Sequence, residues 1–203
     1  GRGNRIIDNY LHDNVSRYGG RGEFNAVYLD GSCAGDTIAG NVFYNSGTFG
    51  VMHNSGREVV IQNNIFVGSR AGIHATANAW YDTAEGHPMN FLERIQAFDF
   101  RNPPWSIAYP ALARTPDDHH HPDFERFKYP IGSILVRNIG WHNRYWIDPR
   151  KLEAFEYYEL ISDNIEEQDP RFFNERERQF ALRNDSPAWK LPGFRRIAFE
   201  KMG

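Results

Sequence analysis

Thr37-Ile38-Ala39-Gly40-Asn41-Val42-Phe43 and Val59-Val60-Ile61-Gln62-Asn63-Asn64-Ile65-Phe66 carry one phrase twice: a β-favouring stretch, then Asn, then an apolar or aromatic pair. Asn41 and Asn64 are 23 residues apart, which suits one turn of a stack of short parallel strands. The phrase recurs as Asn9-Tyr10-Leu11, 32 residues earlier, and Asn138-Ile139-Gly140-Trp141, 74 residues later, so those turns are expected to carry insertions. An Asn at the same corner of successive turns can pass amide hydrogen bonds up the stack and satisfy groups that a tight corner would strand.

A second column has the same register. Val27-Tyr28-Leu29-Asp30, Val51-Met52-His53-Asn54 and Ile73-His74-Ala75-Thr76 align at offsets of 24 and 22 residues. The leucine-rich-repeat phrase is absent, and the β-branched residues favour strands. The expected fold is all-β: a right-handed parallel β-helix with a long loop insertion and a C-terminal cap. As a single domain it divides into coils over 1–80, an insertion over 81–130, a last coil over 131–149 and a charged tail over 150–203. The insertion is proline-rich, with a short helix expected around Phe91 to Phe98. The first coil starts without a cap, so upstream coils are expected to be missing or supplied by another chain.

Bulk composition narrows the partners. A net charge of −3 offers no basic surplus for phosphates, which argues against nucleic acid. No apolar run approaches a membrane span, and the single Cys33 excludes an internal disulfide. Aromatic residues make up 15% of the chain, and many lie in loop-like stretches where flat rings can meet sugars (Tyr81, Trp105, Tyr109, Trp141, Tyr145, Trp146). A polysaccharide or oligosaccharide is the expected partner.

Side chains alternate across a strand, so if Val27 and Leu29 point inward, Tyr28, Met52 and His74 form one outward column and Asp30, Asn54 and Thr76 the next. With adjacent strands about 4.8 Å apart, a ligand laid across them meets a polar ladder. Asp30 is the leading general acid or base and His74 a second proton carrier. Tyr28, Asn54, Thr76, Trp105 and Tyr109 are expected to bind substrate. His53 falls on the opposite alternation and joins that set only if a bulge turns it outward. Asp36, Glu58, Asp82 and Glu85 are further carboxylates without diagnostic spacing. His119-His120-His121 with Asp117, Asp118 and Asp123 lacks a spaced ligand pattern, so neither metal nor cofactor is expected. Gly19-Gly20-Arg21-Gly22 and Gly47-Thr48-Phe49-Gly50 lack the Lys-Ser/Thr of a phosphate loop.

Val27-Tyr28-Leu29-Asp30-Gly31-Ser32, Gly40-Asn41-Val42-Phe43, Asn63-Asn64-Ile65-Phe66, Pro103-Pro104-Trp105 with Tyr109-Pro110, and Asp185-Ser186-Pro187-Ala188 occur in this order. Together they resemble the β-helix repeat proteins of bacterial polysaccharide degradation, especially those similar to glycoside hydrolase family 141. The resemblance implies a secreted or periplasmic carbohydrate-active enzyme, with fucosidase and xylanase activities known in the family, and an acidic pair on the exposed sheet. Asp30 matches the first acidic position. Thr76 stands where such proteins commonly carry Asp, and Gly31 replaces a frequent second Asp. An intact pair two coils apart would span roughly 10 Å, nearer inverting than retaining geometry. The alternatives are a non-catalytic glycan-binding or structural β-helix subunit, or a lyase or epimerase on uronic acids, for which Arg57 and Arg70 are the basic residues at the corners.

Overall fold

The computed structural model describes residues 2–14, 24–30, 33–77, 91–97, 99–118 and 120–202, with backbone only at 91, 92, 125 and 127. The chain is mostly β, with parallel sheets and few helices. In order it forms β1 (Arg5–Ile7), β2 (Tyr10–His12), β3 (Asn25–Leu29), β4 (Thr37–Ala39), β5 (Val42–Tyr44), β6 (Phe49–Asn54), β7 (Val60–Gln62), β8 (Ile65–Val67) and β9 (Ala71–Thr76). After two short helices, α1 (Phe91–Gln96) and α2 (Trp105–Ala108), come β10 (Ile134–Val136), β11 (Ile139–Trp141), β12 (Tyr145–Ile147), β13 (Leu160–Ser162), β14 (Ile165–Glu166), β15 (Phe172–Asn174) and β16 (Gln179–Leu182).

Three parallel sheets result. Sheet 1 is ordered β1-β4-β7-β10-β13, sheet 2 β2-β5-β8-β11-β14 and sheet 3 β3-β6-β9-β12, while β15 and β16 form an antiparallel pair. The chain visits sheets 1, 2 and 3 in that order and returns to sheet 1 one strand further along, so each visit adds one level. The sheets remain separate hydrogen-bonded units.

The corner between sheets 1 and 2 shows why this sequence stacks. Asp8, Gly40, Asn63, Arg137 and Asp163 have φ of 56, 70, 55, 56 and 55°. Each turns the chain by a left-handed step and is followed by an Asn whose side chain joins one continuous ladder. Asn9 donates its backbone N–H and side-chain amide to Asn41 Oδ1, both at 3.0 Å. Asn41 does the same to Asn64, Asn64 to Asn138 and Asn138 to Asn164, at 2.9–3.1 Å. The amides of Asn41, Asn64, Asn138 and Asn164 also reach back to the carbonyls of Ile6, Ile38, Ile61 and Leu135. Four of these five Asn were expected; Asn164 extends the ladder.

Like residues stack on like. Ile6, Ile38, Ile61, Leu135 and Ile161 are successive neighbours in sheet 1. In sheet 2 the Phe43 and Phe66 rings lie parallel, with centroids 4.6 Å apart. Bulk is balanced by glycine. A Cβ on Gly50 would collide with the Phe66 ring, and one on Gly72 would come within 2.9 Å of Trp146, so both positions must be bare for the rings to fill the interior.

The stack does not stop at residue 149, since β13 and β14 add a level to sheets 1 and 2. Of the tail expected over 150–203, Ala154, Phe155 and Tyr158 pack into the main core. Residues 172–202 lie along the outer face of sheet 2, where Phe172, Phe180, Ala188 and Ile197 pack on Val42, Ile65, Val67, Ile139 and Ile165. That face is apolar and needs cover, which is the physical reason for the tail's path. Polar ties run to both ends of it: Arg178 donates to Asp13 at 2.8 Å, and Trp141 Nε1 to Glu175 at 3.0 Å. The Asn45 side chain, His12 and Arg178 together hold the Asp13 carboxyl down at about 2.

The insertion returns to the corners between sheets 3 and 1. Arg57 Nη2 donates to Thr115 Oγ1 at 2.7 Å, the Tyr109 ring lies 5.4 Å from the Arg2 guanidinium, and Arg2 pairs with Glu58. Asp36, 3% exposed, accepts from the backbone and side chain of Asn4, a structural use of that carboxylate. Among the described residues no helix is long and apolar enough to cross a membrane.

Candidate functional site

Sheet 3 holds the expected columns in register. Tyr28 stands beside Met52 and Met52 beside His74; Asn54 stands beside Thr76. Asp30, one residue past β3, is joined to that row by hydrogen bonds. Thr76 Oγ1 donates to Asn54 Oδ1 at 2.5 Å, Asn54 Nδ2 donates to Asp30 Oδ1 at 2.7 Å, and the same amide lies 3.3 Å from the Tyr28 hydroxyl. Asn54 thus spends its acceptor on the threonine and its donor on the carboxylate, fixing the orientation of both. Asp30 is exposed, Tyr28 is 51% exposed, and Cys33 Sγ donates to the Asp30 carbonyl at 2.9 Å. Gly31 and Ser32 lie outside the described residues.

The rest of the outward face is more covered than simple alternation implies. Met52, His74 and Thr76 are only 7, 5 and 4% exposed. The reason lies in β6, where Gly50 and Val51 both turn inward, leaving Phe49 to pack outside the main core with Met52, Ala71 and Tyr145. Phe49 stacks on the His74 ring, centroids 4.5 Å apart and 12° from parallel.

β12 continues the Tyr28–Met52–His74 column with a residue that sequence reasoning missed. Ile147 pairs with Ile73, so Asp148 stands beside His74, and Asp148 Oδ2 is 3.6 Å from His74 Nδ1. The Asp148 side chain is fully buried and takes hydrogen bonds from the Arg150 backbone N–H and guanidinium. Burial pushes its pKa up, but the Arg150 hydrogen bonds and charge, with His74, outweigh that and leave it lowered, so Asp148 stays ionised. His74 is therefore half of a buried pair rather than a proton carrier open to solvent. The signal was in the sequence: the 74-residue step from Asn64 to Asn138, carried over to this column, takes His74 to Asp148.

His53 is a correction. It is 0% exposed, its Nδ1 lies 2.7 Å from the Tyr158 hydroxyl, and it cannot touch a substrate at this face. No bulge turns it outward; the irregular step is at Gly50, and from Val51 onward β6 alternates normally. Burial lowers the His53 pKa to about 4, a Gly56 backbone hydrogen bond restoring part of the loss, and burial pushes the Tyr158 phenol up. The folded value lies below the free one near 6.5, so this contribution to stability is intact above pH 6.5 and is lost as pH falls toward 4. Wild type is expected to lose about 2 kcal/mol from this residue between pH 6.5 and 5, read by urea denaturation. His53→Phe should flatten that slope; an unchanged slope would show that His53 is not the group responsible.

Trp105 and Tyr109 sit one helical turn apart with rings 6.5 Å apart and 19° from parallel. Trp105 is 44% exposed, whereas Tyr109 faces Arg2 and approaches Gly3 at the edge of sheet 1. Tyr109 is thus an anchor of the insertion. Tyr81, Asp82 and Glu85 lie outside the described residues. In the histidine run, His119 also lies outside them. His121 Nδ1 accepts from the Asp123 backbone and Asp118 from the His120 backbone, and no group of three or more His, Cys, Asp or Glu among the described residues could hold a metal ion.

No family model, no curated protein and no solved structure matches the chain.

Proposed function

We propose that this chain is a right-handed parallel β-helix of the carbohydrate-active type, a glycoside hydrolase that takes a polysaccharide along the outer face of sheet 3, with Asp30 as general acid or base. The observation that carries the reading is the Thr76–Asn54–Asp30 row, which ends in an exposed carboxylate beside the exposed ring of Tyr28. Rigid strands hold the row, and the spacing of about 4.8 Å between levels suits a chain of sugars crossing them. In this reading Tyr28 is the sugar platform and Asn54 fixes Asp30 through one oxygen, so that the other can face a glycosidic oxygen or a water. Export from the cell goes with it.

A second reading, glycan binding without cleavage, is favoured by the position of Asp148. It stands three strand spacings from the level of Asp30, at least roughly 14 Å, beyond the ~9.5 Å that a pair of glycosidase carboxylates spans. It is also buried on Arg150. A hydrolytic partner for Asp30 would have to come from residues such as Asp82 or Glu85.

Reducing-sugar release and glycan binding by wild type and Asp30→Asn, on a panel of xylans and fucosylated and acidic polysaccharides, separate the readings. Release by wild type, lost in Asp30→Asn with binding intact, is expected for the hydrolase. Binding without release supports the second reading, and an unsaturated uronate product would mean a lyase. Neither binding nor release on any glycan would sink the assignment.

A further inference from the structure

Resting on sheet 3 as the glycan face, we infer that the glycan is anionic, carrying carboxylate or sulfate groups, and that Arg70 and Arg144 beside Tyr145 form the subsite that receives its charge.

Arg70 and Arg144 each directly precede a strand of sheet 3, at adjacent levels. The Arg144 N–H donates to the Ser69 carbonyl and the Tyr145 N–H to the Arg70 carbonyl, which sets the two arginines side by side. Both guanidiniums lie over one ring, Arg70 Cζ at 5.8 Å and Arg144 Cζ at 5.3 Å from the Tyr145 centroid. A third, Arg150, lies 5.4 Å from the neighbouring Phe49 ring.

Charge around them is unbalanced. One carboxylate, Asp148, is shared by two of them: Arg150 donates hydrogen bonds to it, and Arg70 Nε forms a looser ion pair at 3.7 Å without a hydrogen bond, while Arg144 has no ion pair among the described residues. The Arg70 side chain is 34% exposed and Arg144 is exposed. Two like charges gathered at one ring repel each other, and an anion between them removes that cost. The surplus is local, since the whole chain carries −3, so it does not reflect a generally basic surface.

Its place on the sheet argues for a polymer. The arginines precede the N-terminal ends of β9 and β12, while Asp30 follows the C-terminal end of β3, six positions along the strands, so one extended chain running diagonally over sheet 3 reaches both. A planar guanidinium matches carboxylate and sulfate alike in two-point hydrogen bonding.

Affinity electrophoresis of the full chain through gels containing polygalacturonate, a sulfated galactan or neutral xylan tests this, with wild type, Arg144→Gln and the Arg70→Gln/Arg144→Gln double variant. Wild type is expected to be retarded in at least one anionic gel more strongly than in xylan, with retardation falling as salt rises. Arg144→Gln should weaken that binding about tenfold, and the double variant should abolish it while leaving its melting temperature and any weak xylan binding unchanged. The gel that retards the protein tells carboxylate from sulfate. Equal retardation in neutral and anionic gels, or anionic binding untouched in the double variant, would overturn the inference and leave the glycan reading standing. No retardation in any gel would instead remove the glycan reading on which it rests.

Discussion

Asn64→Ala is expected to destabilise the protein by about 3–5 kcal/mol, a large share of the 5–15 kcal/mol that holds a typical domain together. Asn64 is 0% exposed and makes four side-chain hydrogen bonds. Its Oδ1 accepts from the backbone and side chain of Asn41 at 3.0 and 3.1 Å, and its Nδ2 donates to the Ile38 carbonyl and Asn138 Oδ1 at 3.0 and 2.9 Å. Alanine leaves the Asn41 backbone N–H and one of its amide hydrogens without an acceptor in a place water does not reach, at about 1–3 kcal/mol for each such group. Asn9, the exposed end of the same ladder, is the internal control. Asn9→Ala removes groups that water can replace, and should cost under ~1 kcal/mol. The urea midpoint should shift with little change in slope, because the exposed surface of the unfolded chain is the same. Equal costs at the two positions would show that the ladder does not hold the corners.

If the chain is the proposed hydrolase, Asp30→Asn should reduce polysaccharide cleavage by about 10²- to 10⁴-fold, the usual weight of a positioned general acid or base. The substitution is nearly isosteric, and its amide oxygen can still accept from Asn54, so the row and the fold should survive. What is lost is the capacity to carry a proton. Affinity for the glycan should therefore change by only a few-fold, and the melting temperature should stay within error of wild type. A variant that cleaves as fast as wild type would remove Asp30 from the mechanism.

The stacked architecture was legible in the sequence because each level repeats the same local problem. A left-handed step strands backbone groups, and an Asn satisfies them, so Asn9, Asn41, Asn64 and Asn138 announce the corner wherever the chain turns. The offsets of 24 and 22 residues likewise gave the neighbours in sheet 3, from Tyr28 to His74. Asn164 was missed because Asp163-Asn164-Ile165 is embedded in charged sequence that reads as tail. The tail's path depends on the outer face of sheet 2, whose apolar residues alternate with core residues and cannot be assigned a partner from periodicity.

The site was legible as a set of columns and illegible as a surface. Alternation places Met52 and His74 outward, but outward is not exposed, and a single irregular step at Gly50 brings Phe49 over His74. The His53–Tyr158 contact joins residues 105 apart, which matches no repeat step, whereas the His74–Asp148 pair follows the 74-residue step of Asn64 and Asn138. Charge shows the same limit. The 74-residue step sets Arg70 beside Arg144, but nothing in the sequence shows that both guanidiniums gather at the Tyr145 ring.

A crystal structure with an oligosaccharide from the polymer that binds best bears most directly on the use of sheet 3. The sugar chain should lie across β3 and β6, one ring against Tyr28 and one hydroxyl or glycosidic oxygen within hydrogen-bond distance of Asp30. Sugar density confined to the Trp105 side of the insertion, or to the outer face of sheet 1, would contradict it.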